Sequence, residues 1–202
     1  MDVQKDQVRG LRERKKDDAR NRIADVVIQF MADASEINHD VVAETTGISR
    51  RTIYRYFPDR DSLLSTAFTR VREMAGNRVV FPKDEQALLG TRSIYSGLDR
   101  IAPIATLVRS TPQGRAMRLS QKRERQESYL AVAADAVKDL PEEDRVLATA
   151  VLQVLHTTVW LEMRDHWDLT GEQMGRATSW AISVLLNDLR SRQGRPLSPD
   201  SR

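Results

Sequence analysis

Between Gly47 and Arg60 the chain reads GISRRTIYRYFPDR, with four arginines and two tyrosines against a single acid, Asp59. A guanidinium presents paired N–H donors that match O6 and N7 of guanine. A phenol packs on a thymine methyl or bonds a phosphate. These types at this density point to the chemistry of reading a nucleic acid. Counted from Arg50 at about 100° per residue, Ile53 and Phe57 fall near ~300° and ~340°, on one side of a short helix. Arg50, Arg51, Tyr54 and Arg55 spread over about 0–140° on the other side. The two apolar residues are expected to anchor the helix, and the four polar ones to face base edges. Thr52, Tyr56 and Arg60 are placed for backbone phosphates, which set register without reading sequence. The N-terminus of the helix, at Ser49, offers N–H groups to an anion.

Two helical turns are marginal in water, so neighbouring elements must hold such a helix. Asn38 is a good N-cap for a short helix carrying Val41, Val42 and Ala43, and Gly47 suits the left-handed turn that ends it. Ser49 then caps the arginine-rich helix and Pro58 stops it. Helix, glycine turn, helix is the helix-turn-helix arrangement, whose second member enters the major groove. Upstream, Ile23, Val26, Val27, Phe30, Met31 and Ala34 form one stripe of an amphipathic helix starting near Asp17. Downstream, Asp59 caps a fourth helix with Leu63, Leu64, Ala67, Phe68, Val71, Met74 and Ala75. Residues 1–16, with Arg9, Arg12, Arg14, Lys15 and Lys16 against Glu13 among residues 9–16, are expected to be a basic flexible arm.

The segment VVAETTGISRRTIYRYFPDRDSLL resembles the DNA-binding signature of the tetracycline-repressor (TetR) family of transcriptional regulators. The resemblance rests on Val42-Ala43, Gly47-Ile48-Ser49, Thr52-Ile53-Tyr54, Tyr56-Phe57, Asp59-Arg60-Asp61, Leu63 and Leu64. It covers about sixty residues of the first four helices, and beyond them only length and helical character agree. It implies that Ser49, Arg50, Arg51, Thr52, Tyr54, Arg55, Tyr56 and Arg60 form the DNA-binding surface. Arg51 stands where the family often has a small residue, and Tyr56 where it often has histidine.

The whole chain is expected to be all-α, with about nine helices. Residues 17–76 form the helix-turn-helix DNA-binding domain, with a loop at Gly76, Asn77 and Pro82. Residues 77–192 form a helical regulatory and dimerisation domain, and residues 193–202 a disordered tail. Single helices are expected over about 84–101, in a short piece after Pro103 to Arg109, from Thr111-Pro112 to about Leu140, from Pro141 to about Asp165, and from Thr170, paired with Gln173 in a capping box, to about Arg192.

In the last two helices the apolar stripe is wider than an internal core needs. Val151, Leu155, Ala177, Ala181, Val184 and Leu185 are read as a homodimer interface, two helices from each chain in a four-helix bundle. The competing reading is an all-intrachain core. A dimer places two reading helices about 34–36 Å apart, on successive major grooves of an inverted repeat. His156, Trp160 and Met163 follow i, i+4, i+7 and, with Tyr95, Met117 and Tyr129, are candidates to line a pocket for a small apolar effector. Core filling is the competing reading, and the resemblance implies the pocket.

Catalysis finds little support. The chain has no cysteine and three histidines, His39, His156 and His166, none at a helical metal-ligand spacing. It has no nucleophile elbow, phosphate loop or dinucleotide fingerprint, so no enzyme, cofactor or metal is expected. No apolar run is long enough to span a membrane, and a cytoplasmic location is expected. The expected function is sequence-specific DNA-binding regulation, by repression relieved by the effector. The alternatives are a helical adaptor or a non-specific architectural DNA-binding protein.

Overall fold

The computed structural model of the chain describes residues 2–33, 35–76 and 81–197, with side chains from Glu13 onward. Its regular elements are all helices, in line with the all-α expectation, and twelve are present among the described residues. They are α1 (Asp2–Ala32), α2 (His39–Thr46), α3 (Arg50–Tyr56), α4 (Arg60–Met74), α5 (Glu85–Leu89), α6 (Thr91–Arg100) and α7 (Ala102–Ser110). There follow α8 (Pro112–Leu119), α9 (Lys122–Val137), α10 (Glu142–Thr157), α11 (Trp160–Trp167) and α12 (Gly171–Ser191).

Three breaks raise the count above nine. Gly90 separates α5 from α6, Ser120-Gln121 separates α8 from α9, and Thr158-Val159 separates α10 from α11, which are bent by 56°. The last break follows a β-branched run, Thr157-Thr158-Val159, of low helix propensity. It also seats Trp160 fully inside the fold, with Nε1 donating to Asp99 Oδ1 at 2.8 Å. The other oxygen of Asp99 accepts from the first N–H of α12, at Gly171. One carboxylate thus joins α6, α11 and the positive end of α12, where a negative charge is favoured.

The chain divides into two compact units. The first comprises residues up to Arg72 together with Pro103–Gln121, and the second comprises Glu73–Ala102 with Lys122–Arg202. The boundary expected at 76/77 therefore shifts to 72/73, and α7 and α8 belong with the N-terminal helices. Gln121 Nε2 donates to Ser65 Oγ of α4 at 2.7 Å within that first unit. Such a contact spans 56 residues of sequence and leaves no local signal.

The core of the first unit is built from Ile23, Val27 and Met31 of α1 with Val42, Ile53, Phe57, Leu63, Leu64 and Phe68. In α1 Ala24 and Ile28 are buried while Val26 and Phe30 are only half-buried, so the stripe is rotated from its expected position. The expected end of that stripe, Ala34, lies outside the described residues, as does Asn77. Residues 1–16, expected as a flexible arm, continue α1 from Asp2. The segment is rich in Lys, Arg, Glu and Asp, lacks proline and has one glycine, Gly10, so helix propensity carries across it.

In the second unit α6 and α12 approach backbone to backbone. A Cβ on Gly175 would lie 2.3 Å from Arg92 Cα, and one on Gly171 would lie 2.4 Å from the Tyr95 carbonyl oxygen. Thr91 Oγ1 donates to the Gly175 carbonyl at 2.8 Å, sealing the contact. The capping box of Thr170 and Gln173 starts α12 as its sequence predicts. The first part of the tail is folded against the unit, contrary to the expectation of disorder. Gln193 and Gly194 take left-handed conformations that reverse the chain, and Leu197 N–H donates to Asp144 Oδ2 at 2.9 Å. Residues 198–202 lie outside the described residues.

Gly175→Ala should destabilise the protein. Alanine favours a helix over glycine by about 1 kcal/mol, but overpacking against the α6 backbone costs about 1–3 kcal/mol. Denaturant unfolding should show a lower midpoint with an unchanged slope, and a raised midpoint would refute the close approach.

Candidate nucleic-acid interface

The interface is positioned by α2 and the turn that follows it. Asn38 Oδ1 accepts from the N–H groups of Asp40 (3.0 Å) and Val41 (2.9 Å), which starts α2. Gly47 takes φ 68°, the left-handed conformation that glycine adopts without strain, and ends the helix. Ser49 Oγ then accepts from Thr52 N–H at 3.3 Å and shares a hydrogen bond with Thr52 Oγ1 at 2.9 Å. The cap therefore occupies one of the N–H groups expected to be open to an anion.

Within α3, Ile53 is fully buried and Phe57, its C-cap, is 5% exposed. Ser49, Arg50, Arg51, Tyr54, Arg55 and Arg60 are exposed, and Thr52 and Tyr56 are half-buried. The structure thus brings the eight residues expected to contact DNA onto the outer side of one short helix and its flanks. The two expected anchors lie on the inner side.

The geometry adds partners to several of them. Arg50 Nε lies 3.1 Å from Asp40 Oδ1, both side chains being largely exposed. Tyr54 is stacked on the buried ring of His39, with centroids 4.2 Å apart and planes 6° from parallel. His39 Nε2 donates to the Phe57 carbonyl at 2.7 Å; since a carbonyl only accepts, this nitrogen carries the hydrogen. The Arg55 guanidinium lies 5.0 Å from the centroid of Tyr56, and Arg20 of α1 lies 5.6 Å from the same centroid. Arg60 Nε donates to the Ile37 carbonyl at 3.3 Å, so this expected phosphate contact also ties α4 to the segment before α2.

Three residues around the surface, Asp40, His39 and Arg20, are not among the expected contacts. A tyrosine and a histidine 15 positions apart carry no periodic signal. The one available clue was compositional, a histidine where an apolar residue would be ordinary on the inner face of α2.

The candidate effector residues fare differently. Tyr95, Met117 and Trp160 are fully buried, Tyr129 and His156 nearly so, and Met163 is half-buried. Met117 belongs to the first unit and the other five to the second. The expected shared helical face of His156, Trp160 and Met163 does not exist, because the Thr158-Val159 break puts His156 on α10 and the other two on α11. The polar atoms are engaged within the protein. Tyr129 Oη lies 2.5 Å from His156 Nδ1, and His156 Nε2 donates to the Ala87 carbonyl at 3.1 Å. With Nε2 carrying the hydrogen, Nδ1 of the neutral ring accepts from the phenol. Tyr95 Oη donates to the Leu155 carbonyl at 2.6 Å. A ligand here would have to displace these bonds. An open groove of about 840 Å³ lies elsewhere in the second unit, lined by Leu89, Arg92, Gln173, Arg176, Ala177 and Trp180 among others.

Of the expected dimer residues, Val151 and Val184 are each 49% exposed and Leu155, Ala177, Ala181 and Leu185 are half-buried. Val146, Leu147, Val154 and Trp180 on the same two helices are exposed as well, Trp180 by 70%. The exposed ones among them lie outside the core of their own unit. No single helix among the described residues is long and apolar enough to cross a membrane. No family model, curated protein or solved structure matches this chain.

The two sides of α3 should respond differently to truncation. Ile53→Ala leaves a cavity in the first unit and should cost about 2–5 kcal/mol, whereas Arg51→Ala should change stability by less than about 0.5 kcal/mol. Equal losses in chemical denaturation would show that α3 is rotated from this orientation.

Proposed function

We propose that the chain is a sequence-specific DNA-binding transcriptional regulator of the tetracycline-repressor type, acting in the cytoplasm as a repressor. The observation that supports this best is the orientation of α3. Ile53 and Phe57 are buried, while Arg50, Arg51, Tyr54 and Arg55 stand exposed on a helix held by a capped helix and a glycine turn. Guanidinium groups and a phenol so displayed fit the donor and acceptor pattern of the major groove. Asp40, beside Arg50, offsets part of the local positive charge, which favours discrimination over indiscriminate phosphate attraction.

A homodimer joined through α10 and α12 belongs to the same reading. Exposed apolar side chains repeated along two helices support an interaction site, and Val151 and Val154 of α10 with Trp180 and Val184 of α12 supply them. Two-fold symmetry in the protein then calls for an inverted-repeat operator. Release by a small effector completes the proposal. An adaptor or architectural protein with the same fold would bind DNA in a salt-dependent way but without an operator.

A gel shift with the protein's own upstream genomic DNA, at about 150 mM salt, tests the reading. A discrete complex that survives excess unrelated duplex is expected, and equal competition by any duplex would reject it. On the operator, Arg51→Ala or Arg55→Ala should each cost about 1–3 kcal/mol and relax one base position, while Arg60→Ala should weaken all sequences alike. Val184→Glu should convert the dimer to a monomer in light scattering, since it places a charge in an apolar seam; an unchanged dimer mass would remove α12 from the interface.

A further inference from the structure

Two consecutive residues of α2 touch two side chains of the reading surface from outside α3. His39 lies under Tyr54 as a parallel ring at 4.2 Å, and Asp40 pairs with Arg50 at 3.1 Å. Arg50 and Tyr54 are one turn apart, so they share a face of α3. His39 is fixed from its other side: it sits at the first position of α2, it is buried, and its Nε2 donates to the Phe57 carbonyl at the C-cap of α3. Its ring therefore cannot follow Tyr54 if that side chain turns. A half-exposed tyrosine on a two-turn helix would otherwise sample its staggered rotamers. Stacking on a fixed ring selects one of them.

We propose that His39 and Asp40 are specificity-determining positioning residues, which preset Tyr54 and Arg50 before the duplex arrives. The proposal rests on the DNA-binding reading above and deepens it. His39 acts through ring contact, holding the phenol where it meets a base edge. Asp40 acts through charge. It orients the guanidinium, and it keeps that guanidinium from settling on any nearby phosphate. The carboxylate must be displaced or shared when Arg50 engages a guanine. A correct base compensates by a bidentate bond, and a wrong base does not. Asp40 thus exchanges some affinity for discrimination, whereas His39 lowers the cost of ordering Tyr54 on binding.

The test uses the full chain. A binding motif is selected from random duplexes, and affinities are then measured by fluorescence anisotropy on the selected site and on each single-base variant of it. His39→Phe keeps a ring under Tyr54 and loses the bond to Phe57. His39→Gln keeps a donor and loses the ring. Preference at the position that Tyr54→Ala relaxes should survive His39→Phe and fall about threefold to tenfold in His39→Gln, the range for one aromatic contact. In a Tyr54→Ala background His39→Gln should have no further effect on preference. Asp40→Asn, at an exposed site, should tighten binding to unrelated duplex and reduce discrimination at the position that Arg50→Ala relaxes, and should do neither when Arg50 is already alanine. Thermal melts establish that each variant is folded at the assay temperature.

Four results would overturn the proposal: loss of preference in folded His39→Phe, an undiminished preference in His39→Gln, additive effects in either double variant, or Asp40→Asn weakening all duplexes equally. If the wild type selects no motif, the DNA-binding reading falls as well. A wild type with a motif but additive double variants rejects the positioning role alone.

Discussion

Ile53 and Phe57 sit one helical turn apart, 0% and 5% exposed, and their burial fixes the rotation of α3 about its own axis. A seven-residue helix has little cohesion of its own. Fully burying each of these side chains contributes about 1.5–3 kcal/mol, more than any single surface contact of the helix. The opposite rotation would carry Arg50, Arg51 or Arg55 inward. A buried guanidinium without a partner costs several kcal/mol, so the two orientations are far from equal. Gly47 and Ser49 fix where the helix begins, and the bond from His39 to the Phe57 carbonyl fixes where it ends. The outward display of cations and phenols follows from these inward contacts.

Local chemistry made this part of the fold readable. Asn38, Gly47, Ser49 and the Thr170–Gln173 pair act on neighbours within a few residues, and each appears in the structure in the role its type predicts. The features that escaped sequence reasoning depend on partners far along the chain. Trp160 turns inward to reach Asp99, which breaks a helix that periodicity alone would continue. Gly175 and Gly171 are ordinary weak points in a helix until α6 is seen against their backbones. The membership of α7 and α8 in the first unit, the Tyr129–His156 pair and the stack of His39 on Tyr54 all involve separations that no window on the sequence captures. Periodicity gave the wrong face for His156, Trp160 and Met163 for the same reason: it assumes an unbroken helix.

The apolar residues of α12 divide between two faces. Met174, Ile182 and Leu186 are buried within their own unit, while Trp180 and Val184 on the opposite side are not. A helix with one core to face needs only the first set. On α10, Leu152 and His156 go inward while Leu147, Val151 and Val154 remain outside. Leu147, Val151 and Val154 are spaced i, i+4, i+7, a seam at helical period, and scattered surface residues would show no such order. That order supports the proposed interface over the scattered exposed apolar atoms that every protein carries.

The two units therefore meet one constraint in opposite ways. In α3 the outer face is charged and aromatic, and its polar atoms can be satisfied by water. In α10 and α12 the outer face is apolar, and water satisfies nothing there. The first surface tolerates being empty and can afford to discriminate among partners. The second gains from being covered at all times, by a surface of matching shape and little charge. A surface that stays covered suits a permanent association, and one that waits suits a reversible partner. Under the proposed function, a second copy of the chain takes the first role and a stretch of duplex the second.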